Sequence, residues 1–372
     1  MTIKTGLNAW RTRFICLPWR LAAAAGAYRG EGPPVNFVIE NADWAIRWVG
    51  EHVRDEIEAL RPGTVAVTTQ PQRLARRLVH FGSQYMWLSW GRHMSDTNQF
   101  VVSFFHGKHA DGPAVSRHID KFLDSVPRLA RIVTGARLIE QRLLDWGVPR
   151  AKVVRIPIGV DTRLFQPPTP EQRQAARARL GIPEQALVIG SFQKDGVGWG
   201  DGMEPKLIKG PDLLLDAIAR LRGDLPVVVM LTGPARGYVK QGLESMGVPY
   251  VHRYIQSHAD LVECFHTLDL YIVSSREEGG PMGLMEAMAS GVPVVATPVG
   301  MAPDLIVDGI TGGLADTCSG EVIASKAQAL VALPSTRLAL LRRRAREDVM
   351  VADWSVVGRD HWLKVYQPLL QK

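Results

Sequence analysis

The strongest constraint on the fold is a rhythm that runs, breaks and starts again. From about residue 35 to residue 160, short apolar runs alternate with stretches that carry apolar side chains at helical spacing. "VNFVIE" (Val35 to Glu40), "TVAVTT" (Thr64 to Thr69), "FVVSFFHG" (Phe100 to Gly107) and "ARIVTGA" (Ala130 to Ala136) read as buried strands, and "VVRIPIGVD" closes the series. "AIRWVGEHVRDEIEAL", "PAVSRHIDKFLDSVPRL" and "RLIEQRLLDWGV" read as the helices between them. Strands that alternate with helices form a parallel sheet covered on both faces. The proline-rich stretch "DTRLFQPPTPEQRQAARARLGIPEQA", with a polar helix in it, then interrupts the pattern and reads as a linker. After it the rhythm restarts: "LVIGSF" strand, "PDLLLDAIARL" helix, "PVVVMLTG" strand, "YVKQGLESMGV" helix, "YVHRYI" strand, "HADLVECFHTL" helix, "DLYIVSS" strand, "GLMEAMASG" helix, "VPVVATP" strand.

The expected architecture is therefore α/β, with two doubly wound, Rossmann-like parallel-sheet domains. The first covers residues 1–166 and the second 167–353; a closing amphipathic helix, 354–372, is expected to pack back on the first domain. Ligands of such sheets bind beyond the C-terminal ends of the strands, so a central cleft faced by both domains is the expected site. A length of 372 residues fits two such domains.

Composition narrows the function. With 46% hydrophobic and 22% charged residues and no apolar run of about 18 residues, a membrane-spanning reading is excluded. Cys16, Cys264 and Cys318 are scattered, with no Cys-x-x-Cys pair for zinc or redox chemistry, which favours the cytoplasm. The alanine-rich "RLAAAAGAYRG" is too short and too weakly apolar for a secretion signal. A net charge of +7 and a pI near 9.4 suit an anionic partner. Nucleic acid is not expected, because no dense basic block with interleaved aromatics is present and "LRRRARE" reads as an exposed helix face. The basic, aromatic "NAWRTRFICLPWRL" and the later "FGSQYMWLSWGRHM" fit two readings. One is contact with an anionic membrane surface, peripheral at its inner face. The other is a core with Trp87 and Trp90 inside.

The chemistry concentrates in "EEGGPMGLMEAMASGVPVVAT" (Glu277 to Thr297). Glu278 and Glu286 stand in an otherwise apolar stretch, where an unpaired charge is expensive to bury. Gly279 and Gly280 allow close backbone approach, and a helix starting near Pro281 turns its N-terminal N–H groups toward an anion. Lys209 sits just before a helix beginning at Pro211, where a cation is unfavourable unless an anion accompanies it. His106, in "FFHGKHADG", falls at the end of a strand facing the cleft, with His109 its competitor. No Asp-x-Asp pair stands ready for a divalent ion, so no metal and no cofactor is expected.

The stretch resembles the signature of retaining glycosyltransferases of the GT-B fold, specifically family four (group 1). Their pattern is Glu, seven residues, Glu-Ala-Met-Ala, then Gly-Val-Pro-Val-Val-Ala; here it stands as "EGGPMGLMEAMASGVPVVAT". "RIPIGVDTRLFQP" (Arg155 to Pro167) resembles the interdomain segment of that family. "KGPDLLLDAIARL" resembles its phosphate-binding Lys-Gly and helix, and "PDLIVDGITGGL" its following loop. The resemblance implies a retaining, metal-independent transfer of a sugar from a UDP-, GDP- or similar nucleoside-diphosphate sugar. The acceptor would be a glycan, a lipid-linked or a small molecule, in glycan, glycolipid or polysaccharide biosynthesis. Glu286 would accept hydrogen bonds from the ribose hydroxyls and Glu278 from the sugar. Lys209 and backbone near Met282 and Gly283 would meet the diphosphate, and His106 would lie near the reacting carbon. The base would be read by backbone groups around Arg253 and Tyr254. The family's arginine in a Gly-Arg-Leu turn is replaced by Ser191 in "GSFQKDG", and Lys194 is the nearest cation to stand in for it. A glycine-rich insertion, "DGVGWGDGMEPKLI", follows as a lid or acceptor contact. Two alternatives remain: a sugar-nucleotide epimerase on the same fold, and a catalytically silent nucleotide-binding scaffold.

Overall fold

The computed structural model describes residues 7–30, 32–41, 45–222, 226–255 and 257–371. The chain divides into two compact units. One runs to Gly159 and takes the chain back from Trp354 onward; the other is Val160–Asp353.

The first unit holds strands β1 (Val35–Val38), β2 (Val65–Thr68), β3 (Leu78–Phe81), β4 (Gln99–Ser103), β5 (Leu129–Thr134) and β6 (Val153–Arg155). They form one parallel sheet in the order β2-β1-β3-β4-β5-β6. Helices α1 (Leu7–Ala24), α2 (Ala45–Leu60), α3 (Gln84–Trp90), α4 (Pro113–Ser125) and α5 (Arg137–Asp145) accompany it. Strand β3 was not among the expected strands, because "LVHF" is short and carries a histidine. It lies inside the sheet, and the imidazole of His80 is fully buried between the Tyr366 hydroxyl at 2.7 Å and the Ser103 hydroxyl at 3.0 Å. Two hydrogen-bond partners make a buried imidazole affordable in a strand. Of the two tryptophans read as core, Trp87 is buried and donates Nε1–H to Ser125 Oγ at 2.6 Å, whereas Trp90 is half-buried.

The C-terminal segment Trp354–Leu370 belongs to this unit. The Trp354 ring lies 4.5 Å from that of His52, and Tyr366 reaches His80. A methyl group on Gly159 would come within 2.1 Å of the Trp354 ring, which explains the glycine of "IPIGVD".

The second unit holds β7 (Leu187–Ser191), β8 (Val227–Thr232), β9 (Tyr250–Arg253), β10 (Leu270–Val273), β11 (Val294–Ala296) and the short edge β12 (Gly313–Leu314). The parallel order is β12-β11-β10-β7-β8-β9. Helices α6 (Pro170–Arg179), α7 (Pro211–Leu221), α8 (Gly237–Ser245), α9 (Leu261–His266) and α10 (Met282–Ala289) lie along it. The core is the apolar face of α7 with Val229, Leu231, Ile272 and Val295 of the sheet.

The break between compact units falls at Gly159/Val160, upstream of the expected boundary near Pro167. The polar helix expected within the linker is α6, and it packs as part of the second unit rather than as a free connection. Arg177 is buried, donating to the carbonyls of Thr267 and Ala186 and to Asp269 at 2.7 Å, and Arg173 reaches Asp269 at 2.5 Å. Arginines that anchor a helix by satisfying buried carbonyls look, in sequence, like a solvated face. No helix among the described residues is long and apolar enough to cross a membrane.

Candidate functional site

In the second unit the chain leaves β7 toward β8 and β9, whereas β10 to β12 lie on the other side of β7. The order reverses between β7 and β10, and a crevice opens beyond the C-terminal ends of strands at such a switch point. Four segments converge there: Ser191 to Lys194 at the end of β7, Lys209 and Gly210 before α7, Ser274 to Gly280 after β10, and the start of α10.

Close packing fixes them. Gly210, at φ 63°, has its Cβ position only 1.9 Å from the Ser274 carbonyl oxygen, so only glycine lets the α7 turn approach β10 this closely. The Gln193 amide donates to the Lys209 carbonyl at 2.7 Å. Lys209 Nζ lies 2.5 Å from Glu278 Oε1, and the Ser275 hydroxyl lies 2.9 Å from the same oxygen and 3.1 Å from Gln193 Oε1. Arg276 forms a two-point pair with Asp212 in the first turn of α7, at 2.8 and 2.6 Å. The ammonium of Lys206 is pushed toward neutrality by burial and then by the charge of Lys209, with Lys194 adding to it and Glu278 opposing. Lys206 thus feels Lys209, Glu278 and Lys194 together.

Helix α10 starts at Met282 with Pro281 as its cap, one residue later than a proline in the first turn would give. Gly279 and Gly280 form the loop before it. Gly300 packs so closely under that loop that a Cβ would lie 2.8 Å from the Gly279 carbonyl oxygen. Gly283 abuts the buried Tyr271, whose hydroxyl accepts from Phe192 N at 3.2 Å. Glu286, in the second turn, is buried and held by His258 Nε2 at 2.6 Å. Burial disfavours the His258 cation, but its hydrogen bond to Glu286 and the charges of Glu286 and Asp161 outweigh this and raise its pKa. The ring packs edge-on against Phe165, which also meets Phe265; this places the phenylalanine of "LFQP" behind the histidine.

Of the expected site residues, Lys209 and Glu278 are in direct contact, and Gly279, Gly280, Met282, Gly283 and Glu286 follow on the same loop and helix. Lys194 lies elsewhere than free in the crevice: its ammonium sits 4.0 Å from the centre of the Trp199 ring, a cation–π contact with the glycine-rich insertion. Arg253 ends β9 and is paired with Glu263 at 2.8 Å, and Tyr254 beside it is exposed. His106 is in the first unit, past the end of β4, where its ring is exposed and its carbonyl accepts from the Gln84 amide at 3.2 Å. His109 contacts Ser116 Oγ at 3.0 Å.

Gln193, Ser275 and His258 were not anticipated. Gln193 and Ser275 had only their position after strands as a signal, and His258 had none, since it meets Glu286 from a separate turn.

A guanidinium does stand behind Ser191. Arg236, after β8, is fully buried and donates to the Ser191 carbonyl at 2.6 Å and the Thr232 carbonyl at 3.0 Å. Its Nε lies 3.0 Å from Asp195 Oδ1, and both side chains of this ion pair are fully buried. Burial raises the Asp195 pKa against the pull of Arg236.

Residues 204–348 match the family described as glycosyl transferases group 1. Among curated relatives, D-inositol 3-phosphate glycosyltransferase of Saccharomonospora viridis is 34% identical over 210 residues, 53% of this chain and 46% of the relative. The enzyme of the same name from Geodermatophilus obscurus is 29% identical over 60% of this chain and 49% of its own. The match thus spans about half the length of these relatives. Among solved structures, Anabaena HepE in complex with UDP-glucose superposes with a TM-score of 0.73 at 16% identity, over 91% of this chain and 99% of that one. Sucrose-phosphate synthase from Thermosynechococcus elongatus gives 0.70 at 17% identity, over the same shares. The chain has the two-sheet α/β architecture of the GT-B fold, and its residues 204–348 are similar to the glycosyl transferases group 1 family.

Proposed function

We propose that the second unit binds a nucleoside-diphosphate sugar and that the protein is a retaining, metal-independent glycosyltransferase of the hexosyl type. The observation that carries this reading is the convergence of Lys209, Glu278, the α10 N-terminus and buried Glu286 at the switch point of one sheet. A helix N-terminus and lysine ammonium groups suit a diphosphate, and an ionised carboxylate accepts several hydroxyl hydrogen bonds at once. Glu286 takes the ribose hydroxyls, Lys209 and the backbone of Met282 and Gly283 take the diphosphate, and Glu278 takes hydroxyls of the transferred sugar. In this assignment Lys209 exchanges its contact with Glu278 for one with phosphate. As the bond to the anomeric carbon breaks, charge builds on the leaving diphosphate, where donors already in place stabilise it most. The acceptor hydroxyl attacks on the face that the diphosphate leaves, and a phosphate oxygen takes its proton. No protein nucleophile is required.

His106 is proposed to act on the donor sugar, with Arg253 and Tyr254 near the base and Lys194 supporting the diphosphate once released from Trp199. The related structures contain UDP and UDP-glucose, and the curated relatives are named for D-inositol 3-phosphate, so uridine donors and inositol phosphates are the first compounds to try. The proposed location is cytoplasmic.

Calorimetry with UDP, GDP, UDP-glucose and GDP-mannose tests the reading. Binding of one pair, weakened about a hundredfold or more in Glu286→Ala through two lost charge-assisted hydrogen bonds, is expected. Equal binding by wild type and variant refutes the ribose assignment. Donor consumption that depends on an added acceptor separates transfer from epimerisation, and binding without turnover would leave the scaffold reading.

A further inference from the structure

Helix α1 has two apolar faces, and only one is used inside the protein. Thr12, Cys16 and Ala23 are buried and Trp19 is half-buried, with Trp19 stacked near Tyr28 at 5.1 Å. On the opposite side Trp10, Phe14, Leu17 and Leu21 are exposed, at 66%, 53%, 42% and 60%. At about 100° per residue these four fall within an arc of about 60°, diametrically across from the docked face. Trp10 and Phe14 pack edge to face at 4.4 Å, so the stripe is a continuous ridge rather than scattered side chains. A solvated helix does not need large residues at i, i+4, i+7 and i+11 on its outer face.

The flanks are basic. Arg13 and Arg20 border the ridge on one side and Arg11 on the other, all exposed, and the helix "LNAWRTRFICLPWRLAAA" contains no acid. Neighbouring elements extend the field. Arg73 lies over the Trp19 ring at 5.2 Å. His93 loses basicity through burial and then through the charges of Arg92, Arg13, Arg20 and Arg128. Asp96 faces the cluster, 3.5 Å from Arg20 and 2.5 Å from Arg128, and leaves the positive charges in excess.

We infer that the outer face of α1 seats the protein on an anionic bilayer surface, with Trp10, Phe14, Leu17 and Leu21 entering the headgroup boundary. Arg11, Arg13 and Arg20 meet the lipid phosphates. A helix that lies in the interface needs an apolar stripe, basic borders and a tryptophan, and α1 carries all three. The uncompensated positive charge selects this occupant over a second copy of the chain, whose own α1 would bring like charges together.

Flotation with vesicles of phosphatidylcholine alone, and of equal parts phosphatidylcholine and phosphatidylglycerol, tests the inference on the full chain. Binding to the anionic vesicles only, weakened by salt, is expected. Each arginine near such a surface is worth about fivefold in partitioning, so the triple variant Arg11→Gln, Arg13→Gln, Arg20→Gln should bind about a hundredfold more weakly. Trp10→Ser with Phe14→Ser should also lose binding while keeping the melting temperature, because both residues are exposed. Failure of the wild type to float with anionic vesicles, or equal flotation with neutral ones, overturns the inference. A concentration-dependent dimer abolished by Trp10→Ser with Phe14→Ser, without flotation, would assign the ridge to a second copy instead.

Discussion

Gly283→Ala is the sharpest test of how the α10 N-terminus is positioned. A Cβ at this residue would stand 2.0 Å from Tyr271 Oη and 2.7 Å from its Cζ, both well inside van der Waals contact. The far end of a flexible side chain could yield, but Tyr271 is a buried ring on β10, enclosed by Phe192 at 5.4 Å and Phe265 at 5.6 Å. Its hydroxyl is also tied to Phe192 N at 3.2 Å. Relief requires either that α10 rise off the sheet or that the ring swing and lose that hydrogen bond. Forcing a methyl group into such a site costs about 1 to 3 kcal/mol, and the broken hydrogen bond adds about 1 kcal/mol. The expected loss of stability is therefore about 2 to 4 kcal/mol, large for one methyl on a helix, where alanine is otherwise favoured over glycine by about 1 kcal/mol.

Denaturant unfolding of wild type, Gly283→Ala, Tyr271→Phe and the double variant gives the answer through a double-mutant cycle. Removing the hydroxyl deletes the closest contact, so the double variant should be more stable than the sum of the single losses, by about 1 kcal/mol or more. A Gly283→Ala protein as stable as wild type would refute the packing argument. A destabilised Gly283→Ala with no coupling to Tyr271 would place the strain elsewhere.

Other outcomes follow from the buried charges. His258 has a raised pKa in the folded protein, so its contribution is present below the unfolded value of 6.5 and fades as pH rises through the folded one. The stability difference between wild type and His258→Gln should accordingly shrink above pH 6.5, measured by thermal melts across pH. His361 behaves oppositely: burial holds it down to about 4, so its contribution is present above 6.5 and is lost as pH falls toward 4. It should remove about 3 kcal/mol by pH 4, a slope that His361→Gln lowers in acid titration of stability. Asp195→Ala should cost about 3 to 5 kcal/mol by leaving the Arg236 guanidinium buried without its counter-charge, and adding Arg236→Met should recover part of this in chemical denaturation.

How much of this was legible in the sequence depends on what each residue contacts. The strands β7 to β11 of the second unit and the loop from Glu278 to Gly283 could be read because β-rich apolar runs, glycines and a helix start are local signals, whereas the two-residue edge β12 lies in a stretch that reads as a loop. Strand β3 could not, since its His80 is made tolerable by Tyr366, distant in the chain. The polar stretch holding α6 reads as a linker for a related reason, because the arginines that anchor it are satisfied by carbonyls of the residues after α9. His258 was invisible as a partner of Glu286, although the carboxylate itself announced that something must hold it.

Ser191 shows where such local reading stops. The resemblance leads one to look for an arginine at that turn, and the nearest cation in sequence, Lys194, was the natural substitute. The fold instead brings in Arg236 from the turn after β8, and its guanidinium faces the Ser191 carbonyl from behind. Buried as it is, Arg236 holds the turn in shape, while Lys194 is drawn aside by Trp199 of the insertion. On the proposed reading, the two functions that one arginine would combine, shaping the turn and offering charge, would fall to two residues on different segments. If Lys194 serves the donor, Trp199→Ala should release it and tighten diphosphate binding, and Lys194→Ala should weaken it. Calorimetry that found both variants equal to wild type would leave Lys209 and the α10 N-terminus as the phosphate-binding groups.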